Sequence, residues 1–450
     1  MTADINWEAI KLEATQILQE LLRIDTTNPP GNEILAVEYI AGRLREVGIE
    51  SLVFESKPGR GNLVARWSGT GEDAPLLLMG HVDVVPAEPS QWSRPPFSGD
   101  LHDGYIWGRG ALDMKCTVVA HLVVMRMLAR LGLRLRRDII FMANADEEVG
   151  GKLGAGWMVD HHPDLIRAEY ALNEGGGGAS PIGGAMFYTV QTAEKGVARF
   201  RMTGHGQPGH GSVPRDDNAV VRLSAAVARL GATPLPLHVT RTVEGMLNSV
   251  AAALPQIKPL IPQILDDKTS RAAIDHLPMP EEYRLALNAQ LRNTATPTIL
   301  SAGSKINVIP SVAEAQVDGR SLPGFDGQGF LAEVRPIVGD EVGLELLDDS
   351  PPLEADLDSP LYHTIVGVMQ TQLPGAYPLP SLVTGATDAK HVTRLGTRVY
   401  GFSAMRYEPK VPTMPLVHGH DERISVDNLF FMTQTEYEIV TRFAGQGAIA

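Results

Sequence analysis

Thirteen histidines occur in the 450-residue chain, and one stands out by its position. His81 closes the apolar run Pro75-Leu76-Leu77-Leu78-Met79-Gly80 and opens His81-Val82-Asp83-Val84-Val85-Pro86. Residues two apart on an extended chain point to the same side, so Asp83 shares a face with His81. A carboxylate there can take the ring N–H, set the tautomer and leave the other nitrogen for a metal. Asp113 sits where the glycine-bearing loop Trp107-Gly108-Arg109-Gly110-Ala111-Leu112 becomes an apolar helix. Capping that helix is the ordinary use of such an aspartate. Asp146-Glu147-Glu148 follows the strand-like Phe141-Met142-Ala143. As a solvated loop it needs no explanation. As a site it offers one carboxylate to a metal and a neighbour, on the other side of the chain, to move a proton.

Glu174 ends Ala171-Leu172-Asn173 ahead of four glycines at 175–178. No GK[ST] or GxGxxG follows, so these glycines do not read as a phosphate cradle. His418-Gly419-His420-Asp421-Glu422, near the C-terminus, is open to reading as a polar surface turn. Each feature alone is weak. Together, His81, Asp113, Glu147 or Glu148, and Glu174 are metal-type side chains at the ends of apolar strands or loops, where α/β proteins build ligand sites. Two imidazoles and three carboxylates can hold two divalent ions with one carboxylate bridging. Zinc leads; cobalt or manganese also suits a donor set without soft ligands.

The elements that must position these residues follow from periodicity. Trp7, Ile10, Ala14, Ile17, Leu18, Leu21 and Leu22 share one helical face, and the helix stops at Asn28-Pro29-Pro30-Gly31. A second helix carries Ile34, Val37, Ile40, Leu44 and Val47. Strands are expected at 51–55, 62–67 and 75–80, a long helix over 113–133, a strand at 138–143, a helix near Leu153 and a strand at 170–173. This alternation predicts an α/β fold around a mixed sheet. From 196 the pattern changes to strand 197–203, helix 218–230, strands 298–302 and 312–318, helix 329–338 and strand 342–347, a split βαβ arrangement. The expected domains are 1–195 with 350–450, interrupted by 196–349.

Composition limits the partners. Lys and Arg number 39 against 53 Asp and Glu, a net charge of −14, so neither a nucleic-acid nor a membrane partner is expected. Cys116 is the single cysteine, which forbids an internal disulfide and any multi-cysteine metal site. Glu8, Glu13 and Glu20 interrupt the stretch where a signal peptide needs an apolar run, and Arg126, Arg130 and Arg134 break the most apolar segment. A cytoplasmic protein is expected.

The ordered segments LLLMGHVDVVP, WGRGALDMK, NADEEVGG, NEGG and HGHDE resemble the di-zinc amidohydrolases: aminoacylases, carboxypeptidase G, succinyl-diaminopimelate desuccinylase and related dipeptidases. The resemblance spans nearly the whole chain. It implies a catalytic α/β domain with an inserted ferredoxin-like lid and dimerisation domain, two Zn2+ per subunit and a homodimer. By the resemblance, His81 and Glu174 bind one zinc, Glu148 and His418 the other, and Asp113 bridges. Asp83 orients His81, and Glu147 is the general base. In Gly209-His210-Gly211-Ser212, His210 looks like the histidine that crosses the dimer to the neighbouring active site, with His205 the competing choice. Asn307, in Asn307-Val308-Ile309-Pro310, and Arg320, in Asp318-Gly319-Arg320, resemble residues that hold substrate. Arg320 suits a free carboxylate. Gly385, in Gly385-Ala386-Thr387-Asp388, resembles a further substrate-side loop. The implied reaction is hydrolysis of the amide bond in N-acyl-amino acids or small peptides with a free carboxylate. A dipeptidase or carboxypeptidase is the alternative within the family.

The stretch from about 234 to 297 is longer than in compact members and apolar, including Met246, Leu247, Val250, Leu254, Ile257, Leu260, Ile261, Ile264 and Leu265. It reads as extra core or dimer surface, or as a wall for a long acyl chain. Other classes fit less well. No GxSxG elbow supports a serine hydrolase, and nothing supplies a phosphatase's phosphate-binding cluster. A non-catalytic binder on this fold has no need of Glu147.

Overall fold

A computed structural model describes residues 5–445 apart from 278, 280 and 412. The chain divides into two compact units, 5–192 with 355–379 and 387–445, and 193–354 with 380–386.

The first unit is built on a mixed sheet. Strands Ser51–Lys57, Arg60–Trp67, Arg137–Asn144, Asp73–His81, Tyr170–Asn173, Arg398–Gly401 and Ala185–Glu194 lie side by side in that spatial order. Pairing is antiparallel for the first two contacts and parallel for the next three. The central strands are continuous apolar runs because both faces are covered: Leu76, Leu77, Leu78 and Met79 are all fully buried. Register places His81 opposite Asn144, and Gly401 opposite Asn173. The loops after four adjacent parallel strands therefore open on the same edge of the sheet.

Three helices, Trp7–Leu22, Lys115–Leu131 and Val426–Ala444, pack into one core with the strands. The middle one is apolar on nearly every side, and residues 115–128 are all buried, as a helix wrapped by its own domain requires. It ends at Gly132 in the left-handed region (φ 58°), the usual helix stop. It starts later than the sequence predicts. Met114, not Asp113, occupies the N-cap position, and the Asp113 side chain is turned elsewhere. Strand Ala185–Glu194 and helices Pro360–Gln372 and Val426–Ala444 go beyond the elements read from sequence.

In the second unit, strands Thr294–Ala302, Val312–Ser321, Gly196–His205 and Val342–Ser350 form an antiparallel sheet in that order. Helices Ala219–Ala232 and Gly327–Val338 supply Leu223, Ala226, Phe330 and Val334 to a core with Phe200, Met202, Ala315 and Val317. This is the split βαβ order. The stretch after residue 234 is helical: Arg241–Ala253, Ile261–Ile264, Ser270–Asp275 and Glu281–Gln290. Its apolar residues form a small core of their own, with Val243, Leu247, Ile264, Ile274, Leu277 and Leu291 buried. Segment 380–386 joins this unit because Leu382 packs with Ala193 and Leu322, and its carbonyl accepts from Gln290 Nε2 at 2.9 Å. Gly385 therefore lies in the second unit rather than with the strand-end residues. Among the described residues, no helix is long and apolar enough to cross a membrane.

Candidate metal centre

The strand ends bring the expected ligands together. His81 Nε2 lies 3.2 Å from Asp113 Oδ1 and 3.6 Å from Glu174 Oε2. His418 Nε2 lies 3.0 Å from Asp113 Oδ2 and 3.2 Å from Glu148 Oε2. Two groups result, His81–Asp113–Glu174 and Asp113–Glu148–His418, each with ligand atoms within 4.8 Å of one another. Asp113 is common to both and turns a different oxygen to each imidazole.

The electrostatics follow from crowding. Burial and the neighbouring Asp113 charge push Glu174 up to about 8. Burial and the Glu174 charge hold Glu147 well above the ordinary carboxylate range. Burial works against Asp113 as well, but hydrogen bonds from His418 and His81 keep it ionised far below that range. Hydrogen bonds to Asp113 and Glu148 lift His418 to about 10. Glu148 Oε1 is buried and has no hydrogen-bond partner among the described residues. Carboxylates packed this closely need positive charge between them. Nitrogen and oxygen donors with one bridging carboxylate suit a pair of hard-to-borderline divalent ions. The residues present therefore fit the expected metals.

Asp83 does more than the sequence suggests. His81 Nδ1 lies 3.0 Å from the Asp83 backbone oxygen and 3.4 Å from its Oδ1, which fixes the imidazole. The same carboxylate accepts the backbone N–H groups of Glu147 (3.1 Å) and Glu148 (3.2 Å) and Nδ2–H of Asn28 (2.8 Å). Asp146 enters this turn in the left-handed region (φ 76°). It is held there by Arg60 Nη2 at 2.7 Å and by Leu153 N–H at 2.8 Å. Gly154 follows from the same packing, since a Cβ there would lie 1.6 Å from the Ala145 carbonyl oxygen. Behind the turn, Asn144 donates to the fully buried Asp388, whose carboxyl is pushed up to about 7 by burial.

The remaining expected residues lie in the second unit. His210 is exposed on the short strand Gly209–His210, paired with Val308–Ile309, and its Nδ1 sits 2.7 Å from Ser212 Oγ. His205 is exposed at the end of its strand, opposite Val312. The Asn307 backbone oxygen accepts from Gly211 N–H at 2.9 Å. Arg320 donates Nε–H to Asp318 at 3.1 Å.

Asp388 is expected only as part of a substrate-side loop, and the sequence assigns no place at the site to Asn28, Arg60, Asn144, Arg109 or Glu422. The last two stand inside segments quoted for other residues, WGRG and HGHDE. A charged residue beside a ligand in such a segment was the available signal.

Residues 77–442 match the family described as Peptidase family M20/M25/M40. The chain is 30% identical to the N-fatty-acyl-amino acid synthase/hydrolase PM20D1 of Xenopus tropicalis, over 90% of this chain and 79% of that protein. It is 29% identical to aminoacylase-1 of Sus scrofa, over 91% and 89% respectively. The fold is similar to that of the M20 family metallo-carboxypeptidase Sso-CP2 from Sulfolobus solfataricus, with a TM-score of 0.68, 19% identity, and coverage of 96% and 99%. A family match over most of the chain and a metal-type cluster at the sheet edge lead to one conclusion: this chain belongs to peptidase family M20/M25/M40 and is a metallohydrolase.

Proposed function

We propose that this protein hydrolyses the amide bond of N-acyl-amino acids or short peptides bearing a free carboxylate. The observation that carries the reading is the pair of imidazole–carboxylate groups sharing Asp113, with Glu147 beside them and in neither. The names of the two curated relatives, an aminoacylase and an N-fatty-acyl-amino acid synthase/hydrolase, support this substrate class.

In this reading His81 and Glu174 hold one Zn2+, Glu148 and His418 the other, and Asp113 both. Co2+ or Mn2+ suits the same donors. Bound divalent ions supply Lewis acidity and lower the pKa of water, worth several kcal/mol in general. Glu147 takes a proton from the attacking water as its oxygen bonds to the carbonyl carbon. It returns that proton to the nitrogen as the C–N bond breaks, because an amine leaves poorly as an anion. The products are a carboxylic acid and an amine. Asp83 keeps Glu147 in reach through the backbone and His81 in orientation. His210, from the neighbouring copy in a homodimer, stabilises the developing oxyanion. Arg320 grips the substrate carboxylate, and Asn307 and Gly385 line the substrate.

The test is hydrolysis of a panel of N-acyl-amino acids and dipeptides, with products identified by mass and a chelated control. Chelator-sensitive release of a free amino acid is expected. No turnover by protein with two metals bound would overturn the reading. Glu147→Gln is expected to lower kcat by about 10²- to 10⁴-fold while both metals stay bound. Substantial activity in that variant would remove Glu147 as the base.

A further inference from the structure

Arg109 and Glu422 belong to no ligand group, yet they are among the most enclosed charges in the protein, 2% and 0% exposed. Arg109 Nη1 donates to Glu422 Oε2 at 2.7 Å. The carboxylate has no spare capacity. Its Oε2 also accepts Gly110 N–H at 3.1 Å, and its Oε1 accepts the N–H groups of Leu112 at 2.7 Å and Asp113 at 3.1 Å. It therefore grips the backbone of the loop that ends in the shared ligand. The guanidinium grips a second loop, donating Nη2–H to the carbonyls of Gly419 at 2.9 Å and His418 at 3.3 Å. Gly108 N–H closes the tie on the Glu422 carbonyl at 3.0 Å.

Neither loop has regular structure to hold its ligand. Asp113 precedes its helix, and His418 sits in a turn with φ at 59°. Its imidazole is half exposed, so burial does not fix it either. We infer that the Arg109–Glu422 pair is a positioning clamp that sets the spacing between Asp113 and His418, and with it the affinity of the ion between them. This inference rests on the ligand assignment proposed above.

A buried ion pair is a poor way to gain stability, because desolvation cancels much of the attraction. It is a good way to hold two irregular loops in register, since each partner fixes several backbone groups at once. The two chemistries also divide the labour. A planar guanidinium can reach a carboxylate and two carbonyls together, whereas an ammonium at that depth serves one side.

The experiment is titration of metal-free protein with Zn2+ by calorimetry, for the wild type, Arg109→Lys and Glu422→Gln, with unfolding of each apo form followed by circular dichroism. The wild type is expected to take two ions. Arg109→Lys keeps the charge opposite Glu422 but drops the carbonyl contacts. It is expected to bind one of the two ions about 10- to 100-fold more weakly, the range typical for groups that orient ligands, and the other nearly as before. Glu422→Gln keeps the side-chain shape and one acceptor oxygen, so it carries the same test if the lysine variant does not fold. Unchanged affinity for both ions in a cooperatively unfolding variant overturns the clamp. So does a lower unfolding midpoint with unaltered zinc binding, which marks a structural role only. Failure of the wild type to bind two ions overturns the ligand assignment instead, so the two failures are distinct.

Discussion

Asp83 Oδ1 accepts the backbone N–H of Glu147 at 3.1 Å. The carboxylate that stands against His81 Nδ1 is therefore also the anchor of the acidic turn. Ligand orientation and placement of the neighbouring acid are coupled through one side chain, 0% exposed and tied to Asn28 as well.

Replacing Asp83 should disturb both functions at once. Asp83→Asn retains an acceptor for one backbone N–H but sets an amide against the other and against Asn28. Activity is expected to fall about 10- to 100-fold, with zinc affinity falling in parallel. Steady-state kinetics beside a zinc titration reads this, and loss of activity with full affinity would confine Asp83 to the acidic turn.

Lys195 gives a pH dependence of its own. Its ammonium is buried, donating to the Arg292 carbonyl at 2.7 Å and Thr294 Oγ1 at 3.1 Å. Burial, with Arg320 nearby, lowers it from 10.5 to about 7. Between pH 7 and 10.5 the unfolded chain holds a proton that the native chain lacks, so stability rises with pH across that window. Below pH 7 both states are charged and the cost stays constant. Lys115, also lowered to about 7, adds to the slope. Urea unfolding of metal-free protein at several pH values is expected to show a smaller slope for Lys195→Met than for the wild type. Equal slopes would mean that Lys195 keeps its proton.

The helical insertion can be tested by truncating its centre. Ile274 is fully buried among Val243, Leu247, Ile264 and Leu291. Ile274→Ala is expected to cost about 2–5 kcal/mol in unfolding free energy, with the preference among acetyl- and long-chain acyl-amino acids unchanged. A shift in acyl-length preference would show that this helical core also shapes the substrate site.

Metal removal offers a simpler check. Chelation should abolish turnover, and restoring Zn2+ should recover it, because the ligands of a preformed site release their protons as the ion binds. Recovery with Co2+ or Mn2+ would show that the donor set tolerates either.

Much of this fold and site is set by local chemistry along the chain. Apolar runs ending in His81 and Glu174 identify buried parallel strands, because only a strand covered on both faces can be apolar at every position. Metal-type side chains at strand and loop ends around His81, Asp113, Glu148 and His418 point to a metal site, and the ordered segments that carry them resemble a metallohydrolase family. The change of pattern at residue 196 marks the second sheet for the same reason of period. Other facts depend on contacts between residues far apart in the chain, and no window of sequence contains them. Asp113 looks like a helix cap until His81 and His418 are brought to its two oxygens. Glu422 looks like part of a polar turn until folding places it under the backbone of residues 110–113. The apolar stretch after residue 234 fits a core, an interface or a substrate wall equally well, because apolarity says only that water is avoided. Only folding gathers Val243, Leu247, Ile264, Ile274 and Leu291 into one buried cluster. Sequence sets which groups are present and how each segment folds locally; tertiary structure alone sets which charges meet, because Coulomb and hydrogen-bond energies depend on distance in space rather than along the chain.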